Sequence, residues 1–412
     1  MIFDDCGFWH ESETLYKEVL ALRKRAFTAH HPHIINATAS LASTYHALGK
    51  LESAEKLGEE VLVLRKKVTG EHHPDTLTSM ANLASTYCAL EKLESAEKLN
   101  HEVLVLRKKV LDVHHPHTLA SMNNLASTYY ALGKLESAQK LQEEVLVLRK
   151  KVNGEHYPDT LTSMANLAST YRALGKLKSA ERLGEEVLVL RKKILGIHHP
   201  FTLISMANLT STYLALGKLE SVEKLEQELL ELRKKITGKH HPHTLTSMAN
   251  LAWTYHALGK FTSAEKLQEE VLVLLKQVLG QHHPDTLTSM ANLATTYYAL
   301  GKLESAKMLE EEVLEHRKKV NGAHHPQTLT SMASLGWTYH VLGKLKSAEK
   351  LEEEVLVLRK KVIGEHHSDT LASMANLAST YHSLGKLERA EKLEEEVLVL
   401  RKKILGHNTL IH

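Results

Sequence analysis

The chain has 412 residues, with 52 Lys and Arg against 49 Asp and Glu, a formal net charge of +3. That near balance gives no bulk attraction to nucleic acid or to an anionic membrane. Two cysteines, Cys6 and Cys88, exclude a disulfide framework and point to a reducing, cytoplasmic setting. No apolar run reaches the roughly eighteen residues of a membrane span, and the first residues lack the basic and apolar regions of a secretory signal.

In chain order, a predicted helix over 8–25 comes first, with an apolar cluster of Ile2, Phe3, Phe8 and Trp9 at its start. From there the breakers keep one period. All eight prolines, Pro32, Pro74, Pro116, Pro158, Pro200, Pro242, Pro284 and Pro326, stand 42 residues apart. Tyr45, Tyr87, Tyr129, Tyr171, Tyr213, Tyr255, Tyr297, Tyr339 and Tyr381 hold the same spacing without a gap. Such regularity is the signature of a repeat array rather than of several unrelated domains.

Residues 74–112 serve as the type unit. Pro74 suits the first turn of a helix, and Leu77, Met80, Leu83, Ala84, Tyr87 and Leu90 recur with the period of a helix. Glu91-Lys92, which reads Gly-Lys in the eight other repeats, breaks it. A second helix follows, with Leu93, Ala96, Leu99, Val103, Leu106 and Val110 on one face. The glycine column of Gly70 and Gly154, replaced once by Asp112, closes it. Each unit hides its apolar face only against its neighbours, so the expectation is a stacked α-solenoid. The divisions expected are 1–30, a partial repeat that is mainly a second helix, 31–406, nine tandem 42-residue repeats, and 407–412, a tail.

The second helix opens acidic (Glu94, Glu97; later Glu352-Glu353-Glu354) and closes basic (Arg107-Lys108-Lys109). This complements the helix dipole and supplies Glu-to-Lys pairs four apart, so the charges are expected on a solvated outer face. Docking of an acidic partner on the Arg-Lys-Lys stripe is the functional alternative.

The run His-Pro-Asp-Thr-Leu-Thr-Ser-Met-Ala-Asn-Leu-Ala-Ser-Thr-Tyr at 73–87, with Gly-Lys-Leu-Glu-Ser-Ala at 133–138, resembles a tetratricopeptide repeat in its 42-residue form, as in the kinesin light chain family. Ala84, Tyr87 and Ala96 match that family's small, aromatic and small positions. The second-helix aromatic is replaced by Gly58, Asn100, Gln142, Gly184, Glu226 and Gln268. The chain is also similar to the repeat arrays of fungal NOD-like receptor proteins, although no phosphate-loop pattern is present. The resemblance implies an all-α fold, a right-handed α-solenoid of stacked helix-turn-helix tetratricopeptide repeats. It implies a non-catalytic scaffold for protein or peptide partners. Adaptor work of the kinesin light chain kind and ligand sensing as part of a NOD-like receptor are the alternatives.

On the face of the first helix opposite Tyr87 stand Thr78, Asn82, Ser85 and Ala89, small and uncharged. Asn82 recurs as Asn124, Asn166, Asn208, Asn250, Asn292 and Asn376, with Ser40 and Ser334 as exceptions. A carboxamide carries donors and acceptors, and in the resembled family asparagines at this position contact bound peptide. The alternative for this column is close helix packing. The residue after the tyrosine varies, with Tyr130, Arg172 and Tyr298 among its members, and Trp253 and Trp337 replace Ser or Thr two residues before it. These are the candidate specificity residues.

The 29 histidines include pairs such as His72-His73 and His114-His115. Adjacent histidines chelate one ion poorly and no zinc-like spacing accompanies them, so a structural link at His-Pro is preferred. No catalytic motif and no cofactor pattern appears. The apolar end cluster and the second helix ending at Leu405 predict self-association through uncapped ends.

Overall fold

The computed structural model describes residues 9–28 and 30–408. The expected cluster at Ile2, Phe3 and Phe8, and residues 409–412, lie outside the described residues. Nineteen α-helices and no strand occupy the described part. Helix Trp9–Ala26 is followed by nine pairs. The first helices are Pro32–Ala47, Pro74–Ala89, Pro116–Ala131, Pro158–Ala173, Pro200–Ala215, Pro242–Ala257, Pro284–Ala299, Pro326–Val341 and Ser368–Ser383. The second helices are Leu51–Val68, Leu93–Leu111, Leu135–Asn153, Leu177–Ile194, Leu219–Thr237, Phe261–Val278, Leu303–Asn321, Leu345–Val362 and Leu387–Asn408. The last of these runs past Gly406, where the sequence reading closed the helix. No His-Pro follows that glycine to start another helix.

Local chemistry explains the punctuation. The histidine before seven of the eight prolines caps the first helix: His73 Nδ1 accepts from the N–H of Asp75 (3.2 Å), and His115 Nδ1 from that of His117 (3.1 Å), whereas Tyr157 before Pro158 makes no such bond. One orphan donor of each such histidine-capped start is thereby satisfied. This is the structural role of the His-Pro link. At the tight turn the N–H of Lys134 returns to Tyr129 O (2.9 Å), a bond that needs a left-handed residue at Gly133 (φ 72°). Glu91 takes that conformation without being glycine (φ 58°). Asp112 does the same at the other turn (φ 78°, ψ 167°), a region that is nearly glycine's alone.

The chain divides into two compact units, residues 1–217 and 218–412. In each, successive helices pack on one another and adjoining first helices also touch. Leu77, Met80 and Val103 form one core cluster of the first unit. Leu287, Met290, Leu293 and Val313, with Leu272 of the preceding repeat, form the equivalent in the second. Each repeat thus closes its neighbour's core, as its one-sided apolar pattern requires.

Polar rivets repeat alongside, and they correct the expected charge pattern. The arginine of Arg-Lys-Lys is buried in most repeats, not solvated, with Arg233 half-buried and Arg401 exposed. Arg149 Nη1 donates to Asp159 O (2.6 Å) and Ser163 Oγ (2.8 Å) of the next first helix. Arg107, Arg191, Arg317 and Arg359 do the same in their repeats. Burial pulls the pKa of these guanidinium groups down. Lysine–glutamate pairs run mainly between repeats rather than four residues apart: Lys134 Nζ lies 2.7 Å from Glu97, and Lys260 2.7 Å from Glu223. Val110, expected on the buried face, is exposed. Among the described residues no helix is long and apolar enough to cross a membrane.

Candidate functional site

The face of the first helix opposite Tyr87 is open. Thr78, Asn82, Ser85 and Ala89 are all exposed, while Leu77, Met80, Leu83 and Ala84 are buried on the other side. The spacing rule of the helix places each asparagine on that face of its own first helix. Asn82, Asn124, Asn208, Asn250 and Asn292 are exposed; Asn166 and Asn376 are half-buried. Asn166 Nδ2 donates to Asn123 Oδ1 of the preceding repeat (3.1 Å), so this member of the column also joins neighbours. The described clefts open beside the asparagines. One of about 220 Å³ takes in His46, Gly58, Asn82 and Ser85. A smaller one of about 20 Å³ sits at Gly184 and Asn208. In the second unit Asn292 borders two, of about 220 and 340 Å³. The first of these opens where Leu275 stands in the arginine column.

The column after the tyrosine has a second task. His46 Nδ1 lies 3.2 Å from Thr86 Oγ1, His256 Nδ1 3.1 Å from Thr296 Oγ1 and His340 Nδ1 2.9 Å from Thr380 Oγ1. Cys88 is half-buried against Thr128 (3.5 Å). These residues bind the next first helix, which constrains their part in ligand choice. Tyr130 is exposed and Arg172 half-buried. Trp253 stands 49% exposed. Trp337 is stacked on His340 (4.9 Å, 6°) and donates from Nε1 to Tyr298 Oη (2.9 Å), so the structure brings these two predicted residues together.

Sequence reasoning took one column only as the place of a missing aromatic. The column holding Asn100, Gln142, Glu226, Gln268, Glu310 and Glu352 is buried between repeats. Asn100 Nδ2 donates to Thr128 Oγ1 (3.0 Å), and Thr254 Oγ1 donates to Glu226 Oε2 (2.7 Å). Glu352 was expected on the solvated acidic start of its helix but is 1% exposed. The signal was present in the sequence: Ala348, Glu352, Val355 and Arg359 keep the i, i+4, i+7, i+11 spacing of one helix face. Burial pushes the carboxyl groups of Glu310 and Glu352 up to about 7 each, with the hydroxyls of Thr338 and Thr380 only partly opposing it. The tyrosine column shows the same effect. Burial first, then the bond to Glu59, raises Tyr87 to about 12; its Oη donates to that carboxylate at 2.8 Å.

Among the described residues no group of three His, Cys, Asp or Glu side chains is placed to hold a metal ion.

Family models for the tetratricopeptide repeat match residues 5–67, 37–109, 75–151 and 117–193, and again 202–243, 244–285, 286–327, 328–369 and 370–409. The chain belongs to the tetratricopeptide repeat family. Solved structures of similar fold include apo RapI, with TM-score 0.64 at 13% identity over 90% of this chain and 99% of that one. A STAND protein with a tetratricopeptide repeat sensor, PH0952 from Pyrococcus horikoshii, matches with TM-score 0.58 at 16% identity, over 97% of this chain and 54% of that one. The nearly identical repeats of a putative kinesin light chain from Podosopora anserina share 30% identity over 50% of this chain and 98% of that one, with TM-score 0.44. No curated protein sequence matches the chain. A tetratricopeptide repeat protein is a scaffold for protein interaction, because stacking its repeats leaves long surfaces free.

Proposed function

We propose that this tetratricopeptide repeat protein is a non-catalytic cytoplasmic scaffold that holds extended peptide segments of a partner along the open face of its first helices. One observation carries the reading. The asparagines recur on an uncharged face, most of them exposed, with clefts beside several. Their carboxamides offer a donor and an acceptor to a backbone at each repeat, and side chains then set the choice of segment. The repeated polar chemistry suits a long surface better than catalysis, which uses one asymmetric pocket. The similarity to the Podosopora anserina repeats, described as a putative kinesin light chain, keeps an adaptor role as the second reading.

The test replaces Asn82, Asn124 and Asn208, all exposed, by Ala. Each lost side chain removes hydrogen bonds worth about 0.5–1.5 kcal/mol, so segments selected from a peptide library should bind at least ten-fold more weakly. Helical circular dichroism should stay unchanged, since Ala is the better helix former. Loss of helicity would make the column structural; full binding with full helicity would place the partner elsewhere. The last second helix offers a further contact surface, for self-association. Leu398 is 57% exposed, whereas Leu356, one repeat earlier, is 7% exposed.

A further inference from the structure

The cleft of about 340 Å³ bordered by Asn292 differs from the others in what lines it. It lies between first helices Pro284–Ala299 and Pro326–Val341, over second helix Leu303–Asn321. Two charged side chains on its floor are more than nine-tenths buried: Glu310, 7% exposed, and Arg317, 6% exposed. Each has an atom with no hydrogen-bond partner, Oε2 of Glu310 and Nε of Arg317. Buried polar atoms are rarely left so. They stand seven residues apart on one helix, about 10 Å along its axis, with Val313 of the cleft wall between them. The Arg317 guanidinium is already engaged through Nη1 with Gln327 O (3.1 Å) and Ser331 Oγ (2.8 Å). On the rim, Ser334 stands where most repeats have Asn, which widens the opening.

We infer that this cleft receives a lysyl side chain of the bound segment, its ammonium against Glu310 Oε2 and its backbone carbonyl toward Arg317 Nε. The inference rests on the peptide-binding reading above and names one side chain which that surface would select. A buried carboxylate lacking a cationic partner is costly, and an ammonium on a flexible four-carbon stem supplies one at depth. The cleft residues of Pro284–Ala299, among them Thr288, Asn292 and Thr295, carry no charge to compete. From Pro326–Val341, Tyr339 is the titratable group that senses Glu310; of the cations on its own helix, Arg317 lines the cleft, while Lys307 pairs with Glu304 and Lys319 with Glu315 and Lys318 lies outside the lining.

Because burial holds Glu310 near pKa 7, the ion pair forms as its proton leaves. The lysyl ammonium keeps its charge throughout this range. The ionised fraction rises about ten-fold from pH 6 to pH 8, and affinity should rise with it.

The probe is Nα-acetyl-lysine methylamide, with the norleucine analogue as its neutral match, titrated into the full chain while the Val313 methyl resonances are followed. The expected result is a Val313 shift with the lysine probe, tighter by about ten-fold at pH 8 than at pH 6, and none with norleucine. Glu310→Gln should abolish both the shift and the pH dependence. Gln is the native residue at this position in two other repeats, Gln142 and Gln268, so the variant is compatible with the fold. As a second variant, Ser334→Asn should weaken binding with Glu310 intact, by narrowing the opening. Equal binding of lysine and norleucine, a flat pH profile, unchanged binding by Glu310→Gln, or no Val313 shift up to the probe's solubility limit would each overturn the inference. The asparagine variants of the peptide test lie within residues 1–217 and do not touch this cleft, so the two readings fail independently.

Discussion

Replacing Glu352 by Gln probes the buried polar column. Glu352 is 1% exposed, no cation pairs with it, and only the Thr380 hydroxyl opposes its burial, without forming a well-aligned hydrogen bond. Its Cγ lies 2.9 Å from where a Cβ would stand at Gly336, so the first helix has given up a side chain to admit it. Burial lifts its folded-state pKa from 4.5 to about 7. The folded chain therefore binds more protons than the unfolded chain between those values, and stability falls as pH rises through that window. A shift of about two and a half pKa units corresponds to about 3 kcal/mol, absent at pH 4 and fully expressed above about pH 8. Glu352→Gln keeps the volume and removes the charge. Denaturant unfolding followed by helical circular dichroism should show the variant stabilised by about 3 kcal/mol at pH 8 and nearly unchanged at pH 4. Equal midpoints at pH 8, or a gain confined to acid, would refute the assignment of a buried, unpaired carboxylate.

Two further outcomes follow from particular positions. Asp112 holds a nearly glycine-only conformation, and Thr118 has lost the hydroxyl bond that Thr160 makes to Gly154 O (2.9 Å). Asp112→Gly should therefore stabilise by about 1 kcal/mol in denaturant unfolding, after loss of the Asp112 bond to His114 N–H; destabilisation would mean that this side-chain bond outweighs the strain. Leu398→Glu should abolish the self-association expected of the wild type in sedimentation at high micromolar concentration, and a wild type that stays monomeric there would remove the basis for that surface.

The helices were legible because their breakers are periodic and their apolar spacing is that of a helix. Pro116, Tyr129 and the Gly133-Lys134 turn define the first helix from sequence alone. The open asparagine face was legible for the same reason, since Thr78, Asn82, Ser85 and Ala89 share one side of the helix. The polar interior was not. Arg149 and Glu352 look like surface residues within strongly charged runs, and only the next repeat's first helix buries them. Their spacing from Ala138, Val145, Ala348 and Val355 carried the information, but residue type suggested solvent. Likewise the variable column at His46, Cys88 and His256 looked free, whereas its partners, Thr86, Thr128 and Thr296, lie 40 residues on.

The most direct test of a partner lying along the first helices is photo-crosslinking from two positions of one repeat. A benzophenone side chain is placed at Ser85, exposed beside Asn82, or at Val105, 52% exposed on the second helix. Each variant is irradiated with a peptide chosen from the library for tight binding to the wild type. Adducts from position 85 and none from position 105 are predicted. Adducts from position 105 alone would put the partner on the second helices and contradict the assignment of the asparagine face.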